Sequence, residues 1–192
     1  NFPGQRDQND LDLVSQIHLA YNILLEFILE AQECAPKIIV SSVPSNHCEV
    51  RAGKKDMIGS SDNDFGLMIN RMLETAFDGD NQIDFVRPTN KYLQLSMNVA
   101  NTEVAVFHGH NLNNINAHSK WWTNQVFDKA PGWDADILIT GHFHTMRIEE
   151  VGKNRWIFHC PTSEAGADMF ENKAGSIGSR SVLSFCVKDG NW

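Results

Sequence analysis

The chain is predicted to be an α/β protein, on three observations. Two amphipathic segments, residues 10–33 and 64–77, carry apolar side chains at helical spacing. Short apolar runs at 37–43, 83–86, 103–107 and 136–140 alternate with them and read as strands. The C-terminal third is richer in strand patterns than in helical ones. Helices alternating with strands in this way pack as layers over sheets. At 192 residues and 42% hydrophobic composition the chain can bury a core, and one domain over residues 1–192 is expected.

The first helix is expected from residue 10 to 33, with Leu11, Val14, Ile17, Leu24, Phe27 and Ile28 on its apolar face. Asp10 is the expected cap, and Pro36 stops the helix. The run 37–43 then reads as a buried strand, leading into Pro44-Ser45-Asn46-His47. Residues 51–63 are rich in Gly, Lys and Asp and read as a surface loop. After the second helix come strands at 83–86, 92–97 and 103–107. A helix is expected at 120–127 and a strand at 136–140. A hairpin over 146–151 and 155–159 turns at Gly152-Lys153-Asn154. A loop over 161–180 precedes a last strand at 181–187.

The balance of 16 basic and 24 acidic residues, net −8, argues against coating duplex DNA with a basic face. It leaves nuclease chemistry open, because bound cations reverse the local sign. Cys34, Cys48, Cys160 and Cys186 are scattered, with no Cys-x-x-Cys pair. Neither a zinc ribbon nor a disulfide framework is expected, and reduced thiols in a cytoplasmic protein are. The apolar stretch 20–29 is broken by Asn22 and Glu26, so no membrane span is expected.

Function is concentrated in the histidines. Phe107-His108-Gly109-His110 and Thr140-Gly141-His142-Phe143-His144 each place two imidazoles two residues apart after an apolar run. In an extended segment such residues point the same way. Loops at the carboxyl ends of strands are where open α/β sheets build ligand sites. Imidazoles with an Asn carbonyl suit Mn²⁺, Fe²⁺, Co²⁺, Ni²⁺ or Zn²⁺.

Ser45-Asn46-His47, His108-Gly109-His110 and Gly141-His142-Phe143-His144, in this order, resemble the last three motifs of the calcineurin-like metallophosphoesterases. The resemblance runs from about residue 10 to the C-terminus. It implies an α/β sandwich of two packed sheets flanked by helices. It implies a hydrolase, with a phosphodiester of a nucleotide or nucleic acid as substrate. It also implies two divalent cations, manganese first and iron, zinc, nickel or cobalt after it. By the resemblance, Asn46, His108 and His142 bind one cation and His144 the other. His47 stands at the leaving group, and His110 lies behind the ligands or faces substrate.

The family opens with an Asp-x-His strand and a Gly-Asp-x-x-Asp/Asn loop, and neither precedes the first helix here. Asn1 stands where the last residue of that loop would fall, so the N-terminal strands are expected to be missing. The family's acidic residue directly after Asn-His is replaced by Cys48, and Glu49 is expected to take its part. Two alternatives belong to other classes. One is a non-catalytic scaffold of the same fold, of the kind found in retromer, and the other is a mononuclear metal-binding protein. An intact His47 favours the enzyme. His18, His118 and His159 match no motif and are expected in ordinary positions. Trp121 and Trp122 are expected to pack a helix, and Arg51, Lys54 and Lys55 to lie in a solvated loop. Cys48 is not expected to be a nucleophile.

Overall fold

Asp12 begins the first helix, two residues later than the expected cap. In the computed structural model its carboxylate accepts the Ser15 N–H at 2.9 Å, satisfying a donor that the helix start leaves open. Helix α1 (Leu13–Cys34) then runs until Ala35, which is extended at φ −126° and ψ 130°. That is the conformation a residue before proline must take. Residues 10–52, 56–57, 62–89, 92–163 and 180–192 are described. They fall into two units, Asn1–Lys91 and Tyr92–Trp192.

In the first unit, α1 packs Ile17, Ala20, Tyr21, Leu25 and Ile28 against Ile69, Leu73 and Ile83. Its other side leaves Phe27 68% exposed. The expectation that no helix could span a membrane is corrected, because by length and composition α1 is long and apolar enough. What the structure shows is a helix docked on one face, with the Gln32 amide donating to Asp80 at 2.7 Å.

Strand β1 (Ile38–Ser41) was expected to be buried, yet Ile39 is 37% exposed. Ile38 and Val40 face the core, and in a strand the residue between them must face the other way. Two short strands, β2 (Arg51–Ala52) and β3 (Asp56–Met57), pair antiparallel where a loop was expected. Residues 53–55 and 58–61 of that expected loop, Lys54 and Lys55 among them, lie outside the described residues. Helix α2 (Phe65–Ala76) is capped by Asp64, and β4 (Ile83–Val86) pairs parallel with β1.

The second unit is a five-stranded sheet. A tight turn at Ala100 and Asn101, both at positive φ, joins β5 (Gln94–Val99) to β6 (Thr102–Phe107). Next in sequence is α3 (Ala117–Asp128), followed by β7 (Ile137–Thr140). The hairpin β8 (Arg147–Gly152) and β9 (Arg155–His159) completes the order β5-β6-β7-β9-β8. Strands β6, β7 and β9 are mutually parallel, in the register Phe107↔Thr140↔His159.

One side of this sheet buries Val104, Ile137 and Phe158. The other buries Ala105, Phe107, Leu138 and Ile157 under Trp122 of α3. Trp121 stacks on Phe107 at 3.9 Å, and the Trp122 indole N–H donates to the Gly132 carbonyl at 2.8 Å. Both tryptophans therefore pack the helix, as expected.

The strand expected at 181–187 does not form. The segment makes no ladder among the described residues, only isolated bridges at Arg180 and Lys188. Its apolar side chains still reach the sheet, Phe185 lying edge-on to Phe158 at 4.9 Å. Alternating apolar residues can pack on a sheet without pairing with it. Of the expected loop at 161–180, residues 164–179 lie outside the described residues. The α/β class stands, with three helices, two two-stranded sheets and one of five strands among the described residues.

Candidate metal centre

Parallel register brings the two histidine strings together. Phe107 and Thr140 are paired at the ends of β6 and β7, so the turns that follow leave the same edge of the sheet. The Gly141 N–H donates to the His108 carbonyl at 3.2 Å and ties the turns to each other. A Cβ on Gly141 would stand 3.2 Å from His108 Nδ1, tight enough that the ring would have to shift by a few tenths of an ångström. The missing side chain lets the His108 ring lie against the second turn.

Three imidazoles then gather. The His108 ring centre is 5.3 Å from that of His142 and 5.4 Å from that of His110, while His110 and His142 are 6.5 Å apart. Three residues of the turns hold left-handed backbone: Gly109 at φ 93°, His142 at 69° and His144 at 54°. For the two histidines this costs about 1–3 kcal/mol each and persists only where the surroundings enforce it.

A zinc–imidazole bond is about 2.0–2.1 Å, so two rings sharing one cation have centres roughly 4.5–5.5 Å apart. His108 with His142 fits that span, as does His108 with His110; His110 with His142 does not. The rings present thus fit one cation held by His108 and one neighbour. Among the described residues no three His, Cys, Asp or Glu side chains converge closely enough to hold a metal ion.

Sequence reasoning missed the support beneath these turns. His118 and His159 are not in ordinary positions: they are 0% and 1% exposed, with ring centres 5.0 Å apart. His159 Nδ1 shares a 2.7 Å hydrogen bond with the Thr140 hydroxyl. Its Nε2 lies 4.0 Å from a Glu149 carboxylate oxygen that is paired with Arg147. Burial lowers the pKa of both imidazoles, that of His159 to about 4, with His118 and Arg147 adding to the effect. Both are neutral at pH 7. The register held one signal for His159, which ends a strand in the row of Phe107 and Thr140. His118, alone on a helix, carried none.

In the first unit the Asn-His string forms a turn. Cys48 and Glu49 N–H groups both donate to the Ser45 carbonyl, at 3.1 and 3.2 Å. Buried Asp64 pins this turn to α2, accepting the Ser45 N–H at 2.9 Å and the Leu67 N–H at 3.0 Å. Asn46 is half-buried and His47 is exposed. Arg51 was expected in a solvated loop. Instead it is half-buried, pairs with Glu49 and donates to the Asn46 carbonyl at 3.2 Å. Burial raises the Cys48 thiol pKa, so the group is protonated at neutral pH and a poor nucleophile.

No protein-family model and no curated protein matches the chain. Several solved structures show partial likeness, among them the following three. A Vps29 double mutant from Entamoeba histolytica is 19% identical over 51% of this chain and 51% of its own, at a TM-score of 0.31. Wild-type Vps29 from the same organism, complexed with Zn²⁺, is 22% identical over 51% of each chain, at 0.30. A predicted phosphoesterase from Streptococcus pneumoniae is 18% identical over 44% of this chain and 49% of its own, at 0.29. The chain spans about half the length of these relatives.

Proposed function

We propose that the protein is a metal-dependent phosphoesterase of the metallophosphoesterase sandwich type, acting in the cytoplasm on a phosphodiester of a nucleotide or nucleic acid. The observation that carries this is the 5.3 Å separation of the His108 and His142 rings, which suits two imidazoles on one cation. His108 and His142 are assigned to one divalent cation, manganese first, and His144 to a second; Asn46 is assigned to the first cation by the motif resemblance alone. Bound cations of this kind hold phosphate oxygens and lower the pKa of a water. Fixed imidazoles and the left-handed turns at His142 and His144 supply orientation without rearrangement. His47, exposed on its turn, is assigned to the leaving oxygen as proton donor. Glu49, paired with Arg51, which also donates to the Asn46 carbonyl, is assigned to orienting the Asn46-His47 turn. His110, whose ring lies 5.4 Å from that of His108 and 6.5 Å from that of His142, is assigned behind the ligands or facing substrate.

Hydrolysis of a bis-aryl phosphodiester by the full-length protein tests the proposal. Turnover is expected with Mn²⁺ and not with chelator. His47→Ala is expected to lower turnover by about 10²–10⁴-fold with Mn²⁺ affinity unchanged. Tight Mn²⁺ binding with no turnover on any phosphoester would identify a scaffold instead. Equal turnover in His47→Ala would remove His47 from the mechanism.

A further inference from the structure

We propose that His118 is the positioning residue of the two histidine turns, and that its ring sets the geometry in which His108 and His142 meet. The proposal rests on the reading that these two rings share a cation. His118 belongs to α3, yet its ring lies against both turns. A Cβ built on Gly109 would fall 2.4 Å from His118 Nε2 and 3.2 Å from its Cε1, so the ring edge fills the space a side chain there would need. Gly109 is the residue between His108 and His110. On the other turn Phe143, between His142 and His144, meets the His118 ring edge-on at 5.5 Å and 85°.

The ring is itself fixed. Its Nδ1 lies 2.9 Å from the Ile115 carbonyl, which can only accept, so Nδ1 carries the proton and donates. Phe107 and His159 border it at 6.2 and 5.0 Å. One flat group, anchored at one nitrogen, thus backs the central residue of each His-x-His string. Left-handed backbone at His142 and His144 needs such external support. Residues that orient metal ligands from behind typically change metal affinity by about 10–100-fold when replaced.

The test compares His118→Asn with His118→Gln. Asn keeps an amide donor near Nδ1 and removes the ring edge; Gln extends an amide to the position of Nε2. Mn²⁺ affinity is measured by calorimetry on the full chain, well below the unfolding midpoint of each variant. His118→Asn is expected to weaken Mn²⁺ by about 10–100-fold, and His118→Gln to restore part of that loss. A second readout needs no metal. Gly109→Ala is expected to lower the unfolding midpoint more in the wild-type background than beside His118→Asn, where the contested space is open. Unchanged Mn²⁺ affinity in a folded His118→Asn protein would overturn the proposal. So would an equal cost of Gly109→Ala in both backgrounds. A wild-type chain that binds no Mn²⁺ would sink the metal reading, and the Gly109 cycle would still decide whether His118 props the turn.

Discussion

The fold changes the chemistry of His159 strongly. Its pKa is about 4 in the folded chain against 6.5 for the ordinary imidazole, because burial opposes the charge and His118 and Arg147 add to that. The unfolded chain therefore takes up the proton first as pH falls. The sign follows: this part of the stability is complete above pH 6.5 and is lost between about pH 6.5 and 4, by up to ~3 kcal/mol. His118, lowered in the same direction, steepens the loss. Urea unfolding at pH 7, 5 and 4 checks this, with His159→Gln expected to flatten the dependence. An unchanged slope in the variant would exclude His159 as its source. The same residue marks a limit of sequence reading. His108 and His142 were legible because spacing after a strand is a local signal. His159 and His118 act through neighbours distant in sequence, and a lone histidine does not announce them.

Asp64 shows how an element can hold a loop. Its two oxygens serve two backbone donors, Leu67 N–H inside α2 and Ser45 N–H at the start of the Asn46-His47 turn. Asp64→Ala would leave one buried and one half-buried donor unpaired, for an expected loss of about 2 kcal/mol. Asp12→Ala at the exposed start of α1 removes a single cap and is expected to cost about 1 kcal/mol. Denaturant midpoints of the two variants give the comparison, and equal losses would contradict a bridging role for Asp64. Elements were legible where pattern and pairing agree. The strand at 83–86 is as expected, because alternating residues and a parallel partner point to the same register. The segment 181–187 has the alternation without the ladder, and alternation alone cannot supply one. The helix start shifted from Asp10 to Asp12 because both can cap, and only the backbone decides which does.

At the scale of the molecule the α/β class was readable from composition and period. The exposure of β1 was not, since it depends on which strands flank it. The parallel order β6-β7-β9 delivers both histidine turns and His159 to one edge of a single sheet. That topology is what turns two dipeptide-spaced strings into one cluster. The chain carries a net charge of −8, and the proposed reading relies on bound cations to offset local negative charge when an anionic phosphoester approaches. His108→Ala and His142→Ala are each expected to abolish tight Mn²⁺ binding, whereas His18→Ala, on α1, is expected to leave it unchanged. The most direct measurement is anomalous scattering at the manganese edge from crystals soaked in Mn²⁺. The account predicts one strong peak between the His108 and His142 rings, about 2–2.3 Å from an imidazole nitrogen of each. A manganese peak elsewhere, with these two rings turned apart, would contradict it.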